Sequence, residues 1–254
     1  MVFYQPGVTP HNLPHDPFKA SVVPRPIGWI STTSPDGKTH NLAPYSQFNN
    51  LTFDPPYVMF SANQTPSQQR KDTVINAEAS GKFCWNLATW KLKDAVNISA
   101  EQVPFGVDEF ERAGLEKAFS SVLPGDNTNP VPMVAASPVR FECTYHTTIR
   151  LPGNPPMGTV DVVIGRVVGI HISDDVLTDG KVDVRKTEPI ARCGYYEYAV
   201  VRDTFEMVIP GDESTLAGLE GSSKRVGELD RKAKGNVSPG HTPGEVTPAA
   251  KQDA

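Results

Sequence analysis

Apolar and β-branched residues fall in short alternating runs that turn residues interrupt, a pattern typical of antiparallel strands. Residues 27–33 and 39–48 flank an SPDGK segment whose Asp-Gly pair favours a hairpin turn. Residues 140–151 and 159–172 form two longer β-branched segments that a PGNPPMG loop joins. Shorter strands are predicted over 57–62, 82–87, 197–201 and 205–208.

Three other segments have helical character. The first covers 73–80, with Asp72 or Thr73 as its cap and Gly81 at its end. The second covers 91–100, and the third covers 108–118 with a D-x-x-E capping box. Two or three helices inserted among six or more antiparallel strands predict a mainly β chain that closes into a small barrel.

Composition and charge narrow the class of protein. The chain has 24 prolines and 20 glycines in 254 residues, too many for a helical bundle. Its net charge is −5 and no basic stripe runs along it, so we expect no nucleic-acid partner. Charged residues interrupt the longest apolar stretch, and the first residues do not have the basic and then apolar pattern of a signal peptide. We therefore expect a cytoplasmic protein without a membrane partner.

The chain divides by composition into three parts. We predict an N-terminal extension over 1–17, a folded domain over 18–210 and a disordered tail over 211–254. Residues 221–254 include eight apolar residues and no aromatic one, too few to form a core. No metal site is expected, because the close pair His11 and His15 lies in a segment that prolines keep from forming a helix.

Common catalytic signatures are absent from the sequence. It contains no GxGxxG after a strand, no GxxxxGK[ST], no GxSxG and no HExxH, which excludes Rossmann, P-loop, α/β-hydrolase and zincin chemistry. What remains is a polar cluster between residues 24 and 73. Arg25 stands between two prolines that stiffen its backbone, although an ordinary solvated arginine would give the same pattern.

Two further pieces of this cluster suggest a nucleotide. Residues 41–50 place several amides and hydroxyls in one strand-like run, where hairpin capping would use only some of them. Lys71 precedes a helix start, which favours an anion there, although a normal helix cap is the alternative. Arg25 and Lys71 would together neutralise a phosphomonoester while the amides address a planar heterocycle. These requirements match a mononucleotide.

Five segments occur in an order that carries a family resemblance: PRPIGWIST, NLAPYSQFNNLTFDPPYVMFS, KDTVINAEASGKFCWNL, GTVDVVIGRVVGIHISDDVL and PIARCGYYEYAVV. Over residues 18–205 the chain resembles the flavin-reductase-like family of FMN-binding split barrels. The resemblance implies a Greek-key antiparallel barrel and a homodimer with FMN at or near the subunit interface. Many members reduce flavin with NAD(P)H and supply it to a partner monooxygenase, and others keep FMN as a prosthetic group.

The resemblance also implies a set of cofactor-binding residues. Arg25 and the stretch of Ser31, Thr32 and Thr33 match the first flavin-contacting strand, and a second strand borders the isoalloxazine. Ser61 and the stretch from Lys71 to Thr73 match the phosphate end. His171 matches a histidine that family members often place close to the pocket. The full set is Arg25, Ser31, Thr32, Thr33, Ala43, Tyr45, Ser46, Asn49, Ser61, Lys71, Asp72, Thr73 and His171. Cys193-Gly194-Tyr195 departs from the double glycine expected after PIAR.

Three hypotheses of function follow from these features. The first is an NAD(P)H:FMN oxidoreductase, in which the cofactors perform the chemistry and no catalytic side chain is expected. The second is an electron carrier that holds FMN tightly and has little direct NAD(P)H activity. The third is a split barrel that has lost flavin and serves as an interaction module, against which Ser46 and Lys71 both weigh.

Overall fold

A computed structural model describes residues 1–65 and 67–207 of the chain. Its contacts divide the chain into one unit, Met1–Thr204, and a second unit that begins at Phe205. The fold described below is that of the first unit. The tail predicted over 211–254 lies outside the described residues, and the first unit includes the predicted extension over 1–17.

Antiparallel strands dominate this unit, as the alternating pattern predicted. The strands are β1 (Arg25–Pro26), β2 (Gly28–Thr33), β3 (His40–Tyr45), β4 (Phe48–Phe53), β5 (Pro56–Asn63), β6 (Lys82–Asn86), β7 (Lys117–Phe119), β8 (Pro132–Val134), β9 (Val139–Leu151), β10 (Val160–Ile172), β11 (Leu177–Thr178), β12 (Lys181–Val182), β13 (Ile190–Gly194) and β14 (Glu197–Val200). A seven-stranded sheet has the order β3-β2-β6-β9-β10-β5-β4. The order crosses between distant segments, so the sheet is not a simple meander.

The predicted hairpin between β2 and β3 is confirmed. The two strands pair antiparallel from Gly28 opposite Tyr45 to Thr33 opposite His40. Gly37 adopts a φ of 74°, which the tight turn requires and which glycine alone adopts without strain. This hairpin places β3 at one edge of the sheet, paired with β2.

The helices are α1 (Phe18–Ser21), α2 (Asp72–Ser80), α3 (Lys93–Ile98), α4 (Glu109–Arg112) and α5 (Val184–Thr187). Helix α2 confirms the first predicted helix and ends at Gly81, whose φ is 72°. The prediction of a helix over 108–118 is wrong beyond Arg112. Asp108 caps α4 as expected, but Gly114 turns the chain at a φ of 64° and β7 follows.

The end of the chain also differs from the sequence prediction. Strand β14 joins a separate sheet with the order β1-β13-β14 and does not close the large sheet. No strand covers residues 205–207, and Val208 lies outside the described residues. The sequence analysis did not predict strand β13, because Pro189 directly precedes it and Cys193 and Gly194 interrupt its apolar pattern.

Two apolar clusters enclose the sheet from both sides. One contains Ile30, Phe60 and Phe83, and the other contains Trp29 and Phe110. Adjacent residues of β2 therefore point into different clusters, which explains why every residue of β2 is buried. Among the helices of the described residues, none has the length and apolar character needed to span a bilayer.

Candidate functional site

A cavity of about 600 Å³, here called cavity A, opens where β3, the start of α2 and the chain before α4 meet. The β3 wall consists of Asn41 and residues 43–45. The second wall is the loop from Thr65 to the first turn of α2, and the third is residues 99–105 together with Glu109. The cavity is large enough for a mononucleotide.

Lys71 is a cation of the second wall that pairs with no described residue. Its side chain forms no hydrogen bond or ion pair with the described residues, although it is half-buried. Burial lowers the pKa of Lys71, and the charge of neighbouring Asp72 partly opposes this shift. No described side chain caps α2, so its first N–H groups donate to no capping side chain, and the Lys71 ammonium lies at the same end of the helix. This arrangement favours an anion.

The loop before Lys71 contributes hydroxyl groups in a fixed turn. Thr65 Oγ1 and Ser67 Oγ are 2.8 Å apart, and the backbone N–H of Gln69 donates to Thr65 Oγ1 at 3.1 Å. Both hydroxyl residues line cavity A. The loop therefore brings neutral donors to the wall that holds the ammonium.

A buried polar network ties α2 to β3 and α4. Thr73 Oγ1 donates to Asn41 Oδ1 at 2.6 Å, and Asn41 Nδ2 donates to both Glu109 oxygens at 3.2 Å. Glu109 also accepts the backbone N–H of Leu42 at 3.0 Å. Burial raises the pKa of Glu109, although the hydrogen bonds from Leu42 and Asn41 favour its ionised form. Thr73 and Asn41 thus position the start of α2.

Arg70 is next to Lys71 in sequence but its charge is engaged elsewhere. Its Nε donates to Asp161 at 3.0 Å and its Nη2 donates to Glu78 at 2.6 Å. Arg150 Nε donates to the other oxygen of Asp161 at 2.8 Å. Asp161 is 1% exposed, and burial disfavours its ionisation, but the two arginines outweigh burial and lower its pKa. The network fixes the loop from the side of β10.

A second cavity of about 780 Å³, here called cavity B, is lined by residues close in sequence to those of cavity A. Tyr45 and Thr65 line cavity A, whereas Ser46 and Asn63, one and two residues away, line cavity B. Arg25 also lines cavity B, where its Nη1 donates to the backbone oxygens of Lys19 and Val22. Within one chain, the structure therefore separates Arg25 and Ser46 from the cavity that holds Lys71.

The other residues implied by the family resemblance have different locations. Ala43, Tyr45, Asp72 and Thr73 line cavity A with Lys71. Ser31, Thr32 and Thr33 are fully buried, line neither cavity and form hydrogen bonds within the core. Asn49 and Ser61 lie on β4 and β5 outside both linings. His171 lies near the far end of β10, where its Nε2 is 2.7 Å from Glu142 Oε1.

Several residues of cavity A were not in the sequence-derived set. The wall of residues 99–105 comes from the segment between α3 and α4, and Glu109 is the first residue of α4, both far along the chain from β3. Trp29 Nε1 donates to Ser99 Oγ at 2.9 Å and fixes the start of this wall. The acidic cap of α4 was the local signal for a helix near Glu109. The contact between Glu109 and Asn41 depends on the fold and has no local signal.

Comparison with known proteins decides the family. A model described as "Flavin reductase like domain" matches residues 20–188, which include β1 to β12 and the three walls of cavity A. The chain belongs to the flavin reductase like family. This flavin reductase like chain is 34% identical over 190 residues to an uncharacterized protein from Halalkalibacterium halodurans, covering 75% of the chain and 88% of the relative.

Solved structures share the same architecture. Nitrilotriacetate monooxygenase component B from Bacillus cereus is 28% identical with a TM-score of 0.72, covering 82% of this chain and 98% of that one. Flavoredoxin of Desulfovibrio vulgaris (Miyazaki F) is 18% identical with a TM-score of 0.60, covering 73% and 91% of the two chains, and shows the fold alone. The flavin reductase like chain therefore has the mainly β split-barrel fold that the sequence predicted.

The Asp161 network generates a stability prediction. We expect Asp161→Asn to lower the free energy of unfolding by about 2 kcal/mol at pH 7, because two arginines lose a buried carboxylate. Since the folded-state pKa of Asp161 is lowered, its contribution is present at neutral pH and is lost as pH falls below about 4. Urea denaturation of both proteins from pH 7 to pH 3 measures this difference.

Asp175→Asn is the matched control, because Asp175 is exposed and has no hydrogen bond or ion pair with the described residues. It should unfold like the wild type at every pH. Equal stability of Asp161→Asn and the wild type at pH 7 would show that the network does not stabilise the fold.

Proposed function

We propose that the chain binds FMN in cavity A and reduces it with NAD(P)H. The observation that supports this most is the Lys71 ammonium, which pairs with no described residue and lies beside the start of α2, where no described side chain provides a cap. The opposite edge of this cavity is a strand of the sheet. Membership of the flavin reductase like family supports the same assignment. A phosphomonoester at one end and a planar ring along β3 match this arrangement.

The donor set of cavity A fits the phosphate of FMN. Lys71 would hold the phosphate with the α2 N–H groups and the hydroxyls of Thr65 and Ser67. Asp72 is better suited to accompany Lys71 than to contact an anion, since its carboxylate would repel the phosphate. Thr73 would act through Asn41 by holding the helix start in place.

The remaining residues of cavity A would orient the ring. When bound, FMN supplies the hydride-accepting ring, so the chain has only to bind, orient and exclude water. Ala43 and Tyr45 would border the ring from β3, and burial raises the pKa of Tyr45 further above its ordinary value, so its phenol is neutral at pH 7. Phe105 is 65% exposed on the third wall and is available to cover the ring.

The residues of the implied set that lie outside cavity A have other proposed roles. Ser46 lines cavity B, directly after Tyr45 of cavity A, and would contact the ring from the end of β3. Ser31, Thr32 and Thr33 would support the site from within the core, where Asn76 Nδ2 donates to Thr32 Oγ1 at 3.1 Å. Nothing in the structure links His171 to either cavity lining, so we assign it no cofactor contact.

We further propose that the chain forms a homodimer and supplies reduced flavin or electrons to a partner monooxygenase. The outward positions Val168, Ile170 and Ile172 of β10 are 41–55% exposed and alternate along the strand, which suits a covered apolar face. The similarity to a monooxygenase component B supports a monooxygenase as the recipient. In such a dimer, FMN would lie at or near the interface.

Turnover tests the proposed function directly. Purified full-length protein should oxidise NADH or NADPH when FMN is supplied, with the loss of absorbance at 340 nm as the readout. Absence of oxidation with either donor would contradict the proposal. Protein that is yellow when purified but oxidises NAD(P)H only slowly would instead favour the electron carrier.

Lys71→Ala tests the phosphate assignment. We expect the Kd for FMN to rise about tenfold or more, because a charge-assisted contact worth ~1.5–3 kcal/mol is lost. Quenching of flavin fluorescence on titration measures the Kd. Lys91→Ala removes an exposed amino group outside cavity A and should leave the Kd unchanged. Equal affinity of Lys71→Ala and the wild type would remove Lys71 from the site.

A further inference from the structure

Asn41 on β3 joins two walls of cavity A through one side chain. Its Oδ1 accepts a hydrogen bond from Thr73 Oγ1 of α2, and its Nδ2 lies 3.2 Å from both oxygens of Glu109 in α4. All three residues line the cavity, and each is at most 7% exposed. The amide has one acceptor end and one donor end, so its orientation decides which neighbour each end can serve.

The carboxylate of Glu109 fixes the orientation of this amide. An ionised carboxylate only accepts hydrogen bonds, and Glu109 receives them from Asn41 Nδ2 and from the backbone N–H of Leu42. The Asn41 Oδ1 is thereby directed toward α2, where it accepts from Thr73. A protonated carboxyl or an amide at position 109 carries a donor of its own, which favours the opposite orientation of Asn41 and opposes the bond from Thr73.

The negative charge of Glu109 is not favoured by the fold itself. Burial raises the pKa of Glu109, and the hydrogen bonds from Leu42 and Asn41 only partly oppose this shift. A carboxyl group with a raised folded-state pKa contributes stability at acidic pH that is lost as the pH rises through that pKa. The charge at neutral pH therefore does more to orient Asn41 than to stabilise the folded chain.

Thr73 transmits the orientation of Asn41 to the start of α2. It is the second residue of the helix and follows Lys71 by two positions. Its backbone N–H is one of the first N–H groups of the helix, which have no acceptor within the helix. The hydrogen bond from Thr73 Oγ1 to Asn41 therefore holds the same turn that offers donors to an anion.

We propose that Glu109 is a positioning residue for the phosphate of FMN and that its protonation weakens FMN binding. The ionised carboxylate orients Asn41, Asn41 holds Thr73, and Thr73 holds the first turn of α2 in place for the phosphate. Cavity A then binds FMN more weakly as the pH falls. This inference rests on the proposed function, since it names how the affinity of that same site is regulated.

Titratable and charged groups from every wall of the cavity surround Glu109. Asp108, directly before it, opposes its ionisation and is itself paired with Lys117, with His40 Nδ1 3.7 Å away. On β3, Tyr45 is neutral at pH 7. The charged residues of the other walls are Arg70, Lys71, Asp72 and Glu101. Substitution of Glu109 alone separates its titration from that of these groups.

Glu109→Gln keeps the shape of the side chain and removes its titration. Titration of flavin-free, full-length protein at pH 8 should show a Kd for FMN about tenfold above that of the wild type, because a buried hydrogen bond of the network is lost. The Kd for riboflavin, which lacks the phosphate, should be unchanged. Glu111→Gln makes the same charge change at an exposed position of α4 outside the lining and should leave both Kd values unchanged.

The pH profile gives a readout that a purely structural role of Glu109 would not change. The phosphate of FMN itself takes up a proton near pH about 6 in every variant, so the measured quantity is the ratio of the Kd of Glu109→Gln to that of the wild type. This ratio should decrease from pH 8 to pH 5, because protonation makes the wild type resemble the variant. A ratio that is the same at every pH would overturn the proposal.

Variants of Thr73 test the same relay from its other end and replace Glu109→Gln if that variant does not fold. Thr73→Val removes the hydroxyl and should weaken FMN binding with the same pH-dependent ratio, whereas Thr73→Ser keeps the hydroxyl and should restore the affinity. The double variant should lose no more affinity than either single one, because both changes break one relay. Additive losses, or equal weakening of FMN and riboflavin, would overturn the proposal.

The outcome also separates this inference from the proposed function. Wild-type protein that binds FMN no more tightly than riboflavin would contradict the phosphate site itself. A wild-type preference for FMN that Glu109→Gln and Thr73→Val leave unchanged would contradict only the role of Glu109.

Discussion

One buried hydrogen bond holds the start of helix α2 against strand β3, and the geometry of cavity A depends on it. Thr73 Oγ1 donates to Asn41 Oδ1, and the amide of the same Asn41 donates to Glu109. Neither α2 nor α4 can move away from β3 without leaving a buried polar atom unpaired, which costs about 1–3 kcal/mol. Lys71 immediately precedes the helix, so this network also fixes the position of its ammonium.

The two neighbouring cations of the loop serve opposite purposes. Arg70 is neutralised by Asp161 and Glu78 and anchors the loop to β10 and α2. Lys71 has no such partner among the described residues and remains available to a ligand. A planar guanidinium has donors in fixed directions and can bind two carboxylates at once, whereas an ammonium is a compact charge on a flexible side chain. Arg70 is thus part of the fold's ion-pair network, whereas Lys71 has no charged partner among the described residues.

Local signals explain what could be predicted from the sequence. The Asp-Gly turn before β3 and the end of α2 at Gly81 depend on residues within a few positions, and both were predicted correctly. The prediction that the helix continues beyond Arg112 is wrong. It relied on the capping box and gave too little weight to Gly114, where the chain turns. The order of segments was sufficient to predict the family and the split-barrel fold.

The division of the site between two cavities could not be predicted in this way. Arg25 and Lys71 both stand in polar segments, but β1 pairs with β13 while Lys71 lies at the start of α2. Pairing between strands that are more than 160 residues apart leaves no mark in either segment. For the same reason Glu109 could not be predicted as a lining residue, because its position depends on the contact of α4 with β3.

The affinity of FMN relative to riboflavin tests the central claim, because the two molecules differ only in the phosphate. If Lys71 and the start of α2 hold that group, FMN should bind about 100-fold more tightly than riboflavin, corresponding to roughly two charge-assisted contacts. Titration of the wild-type protein with each flavin under the same salt measures the ratio. Equal affinity for the two flavins would contradict a phosphate site in cavity A.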